Sequence, residues 1–335
     1  MTPINAKLAR TPLMLECGPE VSLAARHTVS LCGEGRNAPD RRPSDSNAIV
    51  IAAQEPCMSY ASIMMHVDND DASTAARLDL AGALATRFDA VLIGVAAAAI
   101  RPPPVDAFGG VVFVDVIAEE RERIAAEVRA AEARFRSHFS GQAITTEWRS
   151  AIDMPAETLA REARSADLII VGRDLDQHHA SVYQTVDPGE VVMAAGRPVL
   201  IVPPGTRALS AEHVVIAWKD TREARRALWD ASPFLRAAAS VHLVEIAPKA
   251  ELGAAQARIA DVVRHLERHR VKARAEVRAQ REASVADELI LIAEQNGADL
   301  IVGGGYGHAR LREWVFGGVT HDLLRRCPIC CLLSH

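Results

Sequence analysis

The sequence predicts an α/β protein of two tandem, five-stranded, parallel, doubly wound domains with the Rossmann-like strand order 3-2-1-4-5. Apolar runs of strand length alternate with amphipathic helical stretches from about residue 58 to the end, and the whole pattern occurs twice. Single helices between strands indicate right-handed crossovers, and therefore a parallel sheet. The nearly continuous apolar character of the runs is typical of strands that are buried on both faces.

The strand-like runs follow one another in the same order in each copy. In the first copy they are ASIMMHV, AVLIGVA, AITTEWR, DLIIVG and PVLIVP, and in the second they are HVVIAW, SVHLVEI, VKARAEV, DLIVGG and PICCLL. Helical stretches such as IAEERERIAAEVRAAEARFRSHF lie between them. Ser284 and Asp287 form a capping-box pattern that predicts the start of another helix.

The repeat makes positions in the two copies equivalent. RSADLIIVG aligns with NGADLIVGG, GRPVLIVP with RCPICCLL, and SIMMHVD with HVVIAWK. The segment from Pro203 to Thr206 is a natural junction, because proline and glycine interrupt regular structure. We predict a first domain at residues 58–204 and a second at 210–335. Residues 1–57 lack periodicity and are predicted to be a disordered extension.

Composition limits the classes of function. The formal charge of −5 gives no basic field for nucleic acid, and no apolar run approaches the roughly 18 residues of a membrane span. The uneven placement of six cysteines favours a reducing cytoplasm over a disulfide framework. Cys327 and Cys330 match a C-x-x-C pattern, but they follow a helix and enter the last strand. We interpret them as buried strand cysteines.

A glycine-rich stretch near the end of the chain carries the main functional signal. Gly304 and Gly307 follow the fourth strand of the second copy, and Gly317 and Gly318 come after nine further residues. The spacing is neither a P-loop nor a dinucleotide fingerprint. Glycines at a helix start let a phosphate approach the backbone N–H groups and the helix dipole. The alternative is two turns that need positive φ angles.

The predicted strand order places this stretch beside a crevice. In an open doubly wound sheet, ligands bind at the carboxyl ends of strands where the strand order reverses, here between strands 1 and 4. Trp218, Lys219 and Asp220 leave strand 1 of the second copy, so they are predicted to border the same crevice as Gly304. This location favours a phosphate cradle over turns alone.

The stretch resembles the carboxyl-terminal signature G-x2-G-x9-G-[ST] of the universal stress protein family, and GHARLREWVFGGVT is similar to the run around that signature. The resemblance covers both copies and implies a tandem member. It implies that ATP or another adenine nucleotide, with or without Mg, contacts Gly304, Gly307, Gly317, Val319 and Thr320. It also implies that the two domains pair through their fifth strands, as in family dimers, with a homodimer as a further expectation.

The second copy departs from the family pattern at two positions. Gly318 stands where the family has Ser or Thr, so a hydroxyl contact to phosphate is missing unless Thr320 replaces it. Lys219 aligns with Asp68 of the first copy, where the family has Asp at the end of strand 1. The lysine would either pair with phosphate or disturb the adenine pocket, and Asp220 could serve instead.

The first copy departs further. It keeps Asp68, but its later motif positions fall at Leu175, Thr185 and Val186 instead of glycine and a hydroxyl residue. We predict that this copy has lost the phosphate cradle and serves in pairing or binds another ligand.

Three functions therefore remain open. The first is a stress-response regulator that binds an adenine nucleotide in the second domain, and the second is an interaction or dimerisation module without nucleotide. The third and least favoured is a weak nucleotide hydrolase, because no paired carboxylates or metal ligands accompany the glycines. No residue is assigned as catalytic or metal-binding, and His308 is interpreted as a surface residue.

Overall fold

A computed structural model describes residues 59–68, 71–101, 114–173, 183–282, 284–306 and 318–335. All of them lie in one compact unit, Gln54–His335. The extension predicted over residues 1–57 lies outside the described residues, as do the motif positions Gly307 and Gly317. Residues 59–204 are called the first half below, and residues 210–335 the second half.

The described residues form ten strands and nine α-helices. The strands are β1 (Ser62–His66), β2 (Val91–Ala97), β3 (Thr146–Ala151), β4 (Leu168–Gly172), β5 (Val199–Val202), β6 (His213–Trp218), β7 (Ser240–Ala247), β8 (Ala273–Ala279), β9 (Leu300–Gly304) and β10 (Cys330–Ser334). The helices are α1 (Asp71–Phe88), α2 (Val114–Phe139), α3 (Pro155–Glu162), α4 (Pro188–Ala194), α5 (Arg222–Asp230), α6 (Ser232–Ala237), α7 (Leu252–Arg268), α8 (Val285–Gln295) and α9 (Gly318–Arg326).

The strands are joined in one sheet with the order β3-β2-β1-β4-β5-β10-β9-β6-β7-β8 among the described residues. Within each half the order is 3-2-1-4-5 and the neighbouring strands are parallel. The predicted fold class is confirmed. The strand order reverses at β1 and β4 in the first half and at β6 and β9 in the second half, which places a crevice at each of these points.

The two halves meet through β5 and β10, which pair antiparallel. Leu200 lies opposite Leu332, so this pair marks the centre of the junction. Aromatic side chains also cross between the halves, because Phe234 packs 5.6 Å from Tyr60, measured between ring centroids. The hydroxyl of Tyr60 donates a hydrogen bond to the backbone carbonyl of Asp230 over 2.6 Å.

The strand registers test the internal alignment. Ile63 pairs with Leu168 and Val214 pairs with Leu300, which agrees with the alignment of strands 1 and 4 between the copies. The alignment of strand 5 is wrong by two residues. Val199 lies beside Ile169 and Cys331 beside the equivalent Ile301, whereas aligning Pro198 with Pro328 would make Val199 equivalent to Ile329. Hydrogen-bonded pairing with the fourth strand sets the register, and the two prolines do not.

Helices cover both faces of the sheet, as buried parallel strands require. One face packs against α1, α2, α5 and α7. The other packs against α3, α4, α8 and α9. The predicted start of α8 is confirmed, because Ser284 is its N-cap and its hydroxyl accepts a hydrogen bond from the N–H of Ala286 over 3.3 Å.

The cysteines near the end of the chain are buried and unpaired. Cys330 belongs to the core on one face of the sheet, whereas Cys327 and Cys331 belong to the core on the other face. Cys330 and Cys331 are successive residues of β10 and therefore point to opposite faces of the sheet, while Cys327 precedes the strand and packs on the same face as Cys331. This arrangement agrees with the interpretation of Cys327 and Cys330 as core residues.

Candidate functional site

The carboxyl end of β6 leads directly into helix α5. Trp218 is the last residue of the strand and is buried, while Lys219 and Asp220 are exposed. Thr221 has extended backbone angles and is the N-cap of α5, since its hydroxyl accepts a hydrogen bond from the N–H of Ala224 over 3.3 Å. This connection turns the chain over the edge of the sheet, where the crevice is predicted.

Asp220 is already engaged by the helix that follows it. Its carboxylate lies 2.6 Å from a guanidinium nitrogen of Arg225 in α5. Both side chains are about half exposed, at 50% and 59%, so the pair contributes little to stability. Lys219 is exposed and forms no ion pair among the described side chains. Of the two polar residues predicted here, Lys219 is the one with a free charge.

Gly304 lies at the carboxyl end of β9, next to the end of β6. A Cβ atom at this position would lie 2.6 Å from the backbone nitrogen of Ala224 and 2.8 Å from the carbonyl carbon of Glu223. Backbone atoms of a helix cannot move aside as a flexible side chain can. The close packing of β9 against α5 therefore requires glycine at position 304, whether or not a ligand binds.

The loop after β9 returns to the start of α9. Gly305 donates its N–H to the carbonyl of Ser334 in β10 over 2.8 Å. Tyr306 has a φ of 54° and donates its N–H to the hydroxyl oxygen of Thr320 over 3.3 Å. The contact between Tyr306 and Thr320 thus holds the two described ends of the motif loop together. Because its oxygen is the acceptor, the hydroxyl hydrogen of Thr320 remains free to be donated.

The first residues of α9 are open. Gly318 and Val319 are exposed, and no described atom would lie within 4 Å of a Cβ built on Gly318. The first N–H groups of a helix lack partners within the helix and favour an anion. Among the described residues, the start of α9 is therefore a candidate position for an anion. Lys219 and Asp220, by contrast, are connected to the start of α5. The backbone carbonyl of Lys219 accepts a hydrogen bond from the N–H of Thr221, and the carboxylate of Asp220 pairs with Arg225.

Glu223 is a further charged residue at the crevice, and the sequence analysis did not include it. Its side chain is buried beside Gly304 and is paired with Arg222. Burial acts to raise the pKa of Glu223, but hydrogen bonds from Arg222, from its own backbone N–H and from Thr221 outweigh that effect and lower it. The carboxylate is therefore ionised at neutral pH, and Arg222 compensates its charge.

The equivalent crevice of the first half is occupied by a side chain of the same half. Arg77 of α1 is buried and forms an ion pair with Asp68 at the end of β1. A Cβ on Gly172, which is equivalent to Gly304, would overlap the guanidinium group of Arg77. Thr74 also donates a hydrogen bond to Asp68. The aspartate expected at the end of strand 1 is thus present, but its carboxylate is bound by Arg77 and Thr74.

This pairing determines the charge state of Asp68. Burial acts to raise the pKa of Asp68, but the nearby Arg77 and His66 and the hydrogen bonds from Thr74 and Arg77 lower it below its ordinary value. The second half has leucine, Leu228, at the position equivalent to Arg77. An internal cation of this kind is therefore specific to the crevice of the first half.

His66 makes the first half sensitive to acid. Burial lowers the pKa of His66 from 6.5 to about 4, and the opposing effect of Asp68 is smaller. The histidine is neutral in the folded protein, so stability is lost as pH falls from the unfolded pKa towards the folded one. Between pH 7.5 and 5.0, we expect this residue alone to cost about 2 kcal/mol of unfolding free energy.

Urea denaturation at several pH values measures this effect. The variant His66→Gln should lose less stability than the wild-type protein over the same pH interval, because glutamine does not titrate. Equal pH dependence in both proteins would show that His66 is not the group responsible.

The described part of the chain contains no helix long and apolar enough to cross a membrane. The same residues include no group of three or more His, Cys, Asp or Glu side chains placed to hold a metal ion. The fold and the site thus define a doubly wound α/β protein with a candidate anion site at a strand-order reversal.

Comparison with known families is specific for the second half. Residues 209–335 match the model of the Universal stress protein family, which confirms the resemblance predicted from the glycine motif. No curated protein sequence is similar enough to match the chain.

Solved structures show the same fold over most of the chain. A universal stress protein from Archaeoglobus fulgidus superposes with a TM-score of 0.55 at 13% identity, covering 81% of this chain and 97% of its own. A putative universal stress protein from Pseudomonas aeruginosa gives a TM-score of 0.55 at 15% identity, with 82% and 93% covered. A universal stress protein in complex with cAMP covers 43% of this chain and 98% of its own at 24% identity, but its TM-score of 0.30 supports no inference.

Proposed function

We propose that this chain is a tandem universal stress protein, a cytoplasmic and non-enzymatic stress-response regulator that binds ATP or a related adenine nucleotide in its second half. The observation that carries the proposal is the open start of α9. Gly318 and Val319 are exposed at the first turn of α9, close to the loop that leaves β9, where the strand order reverses and where the N–H groups of a helix start favour an anion. The match of residues 209–335 to the family model supports the same conclusion.

Each motif residue has a binding role in the proposed complex. The backbone N–H groups of Gly307, Gly317, Gly318 and Val319 bind phosphate oxygens, and the hydroxyl of Thr320 donates a further hydrogen bond. Mg accompanies the phosphates if it is present.

The other predicted residues border this anion site. Gly304 allows β9 to pack against α5 and so positions the loop. Lys219 supplies a positive charge that is not paired with another described side chain, whereas Trp218 and Asp220 form the edge at the end of β6.

The first half has a structural role and not a ligand-binding role. Arg77 fills its crevice and neutralises Asp68, so we propose that this half binds no nucleotide. Its fifth strand pairs with that of the second half, and we propose that this pairing takes the place of a family dimer. The predicted domains at 58–204 and 210–335 correspond to these two roles.

Calorimetry with ATP, AMP and cyclic AMP tests the nucleotide proposal on the full chain. We expect binding of at least one of these ligands in the micromolar to millimolar range. Absence of binding by all three at millimolar concentration would reject the proposal.

Substitutions at Gly318 provide a sharper test. The change Gly318→Ser restores the family's hydroxyl group and should tighten ATP binding by about 2- to 12-fold, which corresponds to one hydrogen bond. The change Gly318→Val should weaken ATP binding at least 10-fold, because a branched side chain obstructs approach to the N–H groups. Since the space around Gly318 is open among the described residues, neither change should lower the melting temperature appreciably. Equal ATP affinity in all three proteins would place the nucleotide elsewhere.

An interaction module without nucleotide is the second candidate. It is favoured by the engagement of Asp220 with Arg225, since this contact uses a carboxylate that a ligand would need. In that case the variant Gly317→Val should behave like the wild type in cells, and the protein should copurify with partners irrespective of ATP.

A further inference from the structure

A cavity of about 400 Å³ lies between α5 and α6 on one side and α7 on the other. It lies on the face of the sheet that is opposite to α9, so it is separate from the glycine loop. Its volume is within the range of small-molecule sites, about 300–1,000 Å³. Its walls are mostly apolar and aromatic, and they include Trp218, Leu228, Trp229, Leu235, Val262 and Leu266.

Trp218, one of the residues that line the cavity, carries a buried hydrogen-bond donor. Trp218 is 6% exposed, and its indole Nε1 has no partner among the described residues. Glu245 lies beside Trp218 in the register of β6 and β7, and its Oε2 atom is also buried and without a described partner. A buried polar group without a hydrogen bond costs about 1–3 kcal/mol. A ligand that supplies an acceptor to the indole would recover this cost.

The charged groups around the cavity are already paired. Arg258 lies 2.6 Å from Glu245, and Arg225 lies 2.6 Å from Asp220. Burial, together with the nearby His269 and Arg268, lowers the pKa of His265, so this imidazole is neutral at pH 7. The cavity therefore offers no uncompensated charge to a charged ligand, and a charged group would lose its hydration without an opposite partner.

The rim of the cavity carries an exposed aromatic side chain. Trp229 is 49% exposed, an unusual exposure for so large an apolar group, and its ring packs edge-on against His269 with centroids 6.0 Å apart. An aromatic ring entering the cavity would bury the exposed face of this indole. The first half has Arg77 and Leu78 at the positions equivalent to Leu228 and Trp229, so these features belong to the second half.

We propose that this cavity binds an uncharged aromatic molecule that carries a hydroxyl or amide group. The ring packs between Trp229 and the apolar side chains of Leu228 and Val262, and the polar group accepts a hydrogen bond from Trp218. The cavity shares Trp218 and Asp220 with the edge of the proposed nucleotide site, but its ligand lies on the face of the sheet opposite to α9 and is distinct from that nucleotide.

Nuclear magnetic resonance of the tryptophan indoles tests the proposal. The chain has four tryptophans, so the indole N–H region of the nitrogen-15-labelled full chain is simple, and tryptophan-to-phenylalanine variants assign it. We titrate the nucleotide-free protein with 2-naphthol, an uncharged aromatic alcohol. The signals of Trp218 and Trp229 should shift in a saturable manner, and that of Trp148 should not. If the signals of Trp218 and Trp229 stay unchanged, or that of Trp148 alone moves, the proposal is wrong.

Two ligand analogues and two variants separate the polar contact from general apolar binding. Wild-type protein should bind 2-naphthol about 2- to 12-fold more tightly than naphthalene, as expected for one hydrogen bond, and more tightly than 2-naphthoate. Trp218→Phe should abolish the preference for 2-naphthol over naphthalene, whereas Trp229→Ala should weaken both ligands equally and preserve the preference.

Equal affinities of the wild type for 2-naphthol and naphthalene would overturn the role of Trp218, even if Trp218→Phe failed to fold. Tighter binding of 2-naphthoate would overturn the uncharged class of ligand. Because the titration contains no nucleotide, these results are independent of the Gly318 tests.

Discussion

Replacing Arg77 with methionine should lower the free energy of unfolding by about 3–5 kcal/mol, because the change leaves the carboxylate of Asp68 without its cation in a largely buried site. The side chains of Arg77 and Asp68 are 4% and 26% exposed, so solvent screens the pair weakly. The pKa of Asp68 is held below its ordinary value partly by Arg77. The stability from this carboxylate is present above its unfolded pKa and is lost as pH falls through the folded one. Urea denaturation at pH 7.5 measures the loss.

A double-mutant cycle distinguishes the ion pair from simple packing. Asp68→Asn combined with Arg77→Met should be markedly more stable than Arg77→Met alone, because asparagine carries no charge that needs compensation. The exposed pair of Arg207 and Asp79 is a matched control, with side chains 67% and 36% exposed. Arg207→Met should cost less than about 1 kcal/mol. Equal costs at positions 77 and 207 would contradict the assigned role of Arg77.

The consequences of Arg77 extend to function. Arg77→Met removes the side chain that fills the first crevice but should not create a nucleotide site there, because the loop after β4 has no glycines equivalent to Gly307, Gly317 and Gly318. Calorimetry of the variant should therefore give the same number of ATP sites as the wild type.

Local patterns were sufficient to predict the fold. The apolar runs ending at His66 and Trp218 are short, and each is followed by a helical pattern, so strand identity and parallel pairing follow from the chain pattern and crossover handedness. The order 3-2-1-4-5 is one of the orders typical of doubly wound sheets, and handedness alone does not select it. The register of strand 5 did not follow, because the run around Val199 and that around Cys331 are apolar throughout. A uniformly apolar strand buried on both faces has no alternation that reveals its register.

The candidate site was predicted less completely than the fold. Glycine spacing predicted the loop between Gly304 and Gly318, because glycines at such spacing indicate tight turns or a close approach of the backbone. The ion pair of Arg77 with Asp68 and the burial of Glu223 depend on which helix face packs on which strand end. The cavity beside Trp218 depends on the separation of two helices. Such features arise from side chains that are distant in sequence, and no short motif encodes them.

Gly304→Ala should destabilise the protein by a net ~1–2 kcal/mol, because its Cβ would lie 2.6 Å from the backbone nitrogen of Ala224 and overpacking against backbone costs about 2–3 kcal/mol. The smaller entropy of the unfolded alanine chain offsets only about 0.4–1 kcal/mol. Gly318→Ala is the matched control, since no described atom lies within 4 Å of its Cβ, and it should change unfolding free energy by less than about 0.5 kcal/mol. Both values come from urea denaturation at pH 7.5.

The variants Gly304→Ala and Gly318→Ala distinguish a glycine that packing requires from a glycine that a ligand would require. Gly304 is required by the packing of β9 on α5, so its presence is expected even in a domain that binds nothing, and Gly172 keeps glycine at the equivalent position beside Arg77. Gly318 has no such packing reason among the described residues, so it is the motif glycine whose substitution tests a ligand most directly. If Gly304→Ala proved neutral for stability and abolished ATP binding, this division would be wrong and Gly304 would belong to the ligand site. If Gly304→Ala destabilises the fold as expected, its effect on ATP binding cannot be separated from its effect on the fold. The ATP affinities of the Gly318 variants are then the direct test of nucleotide binding.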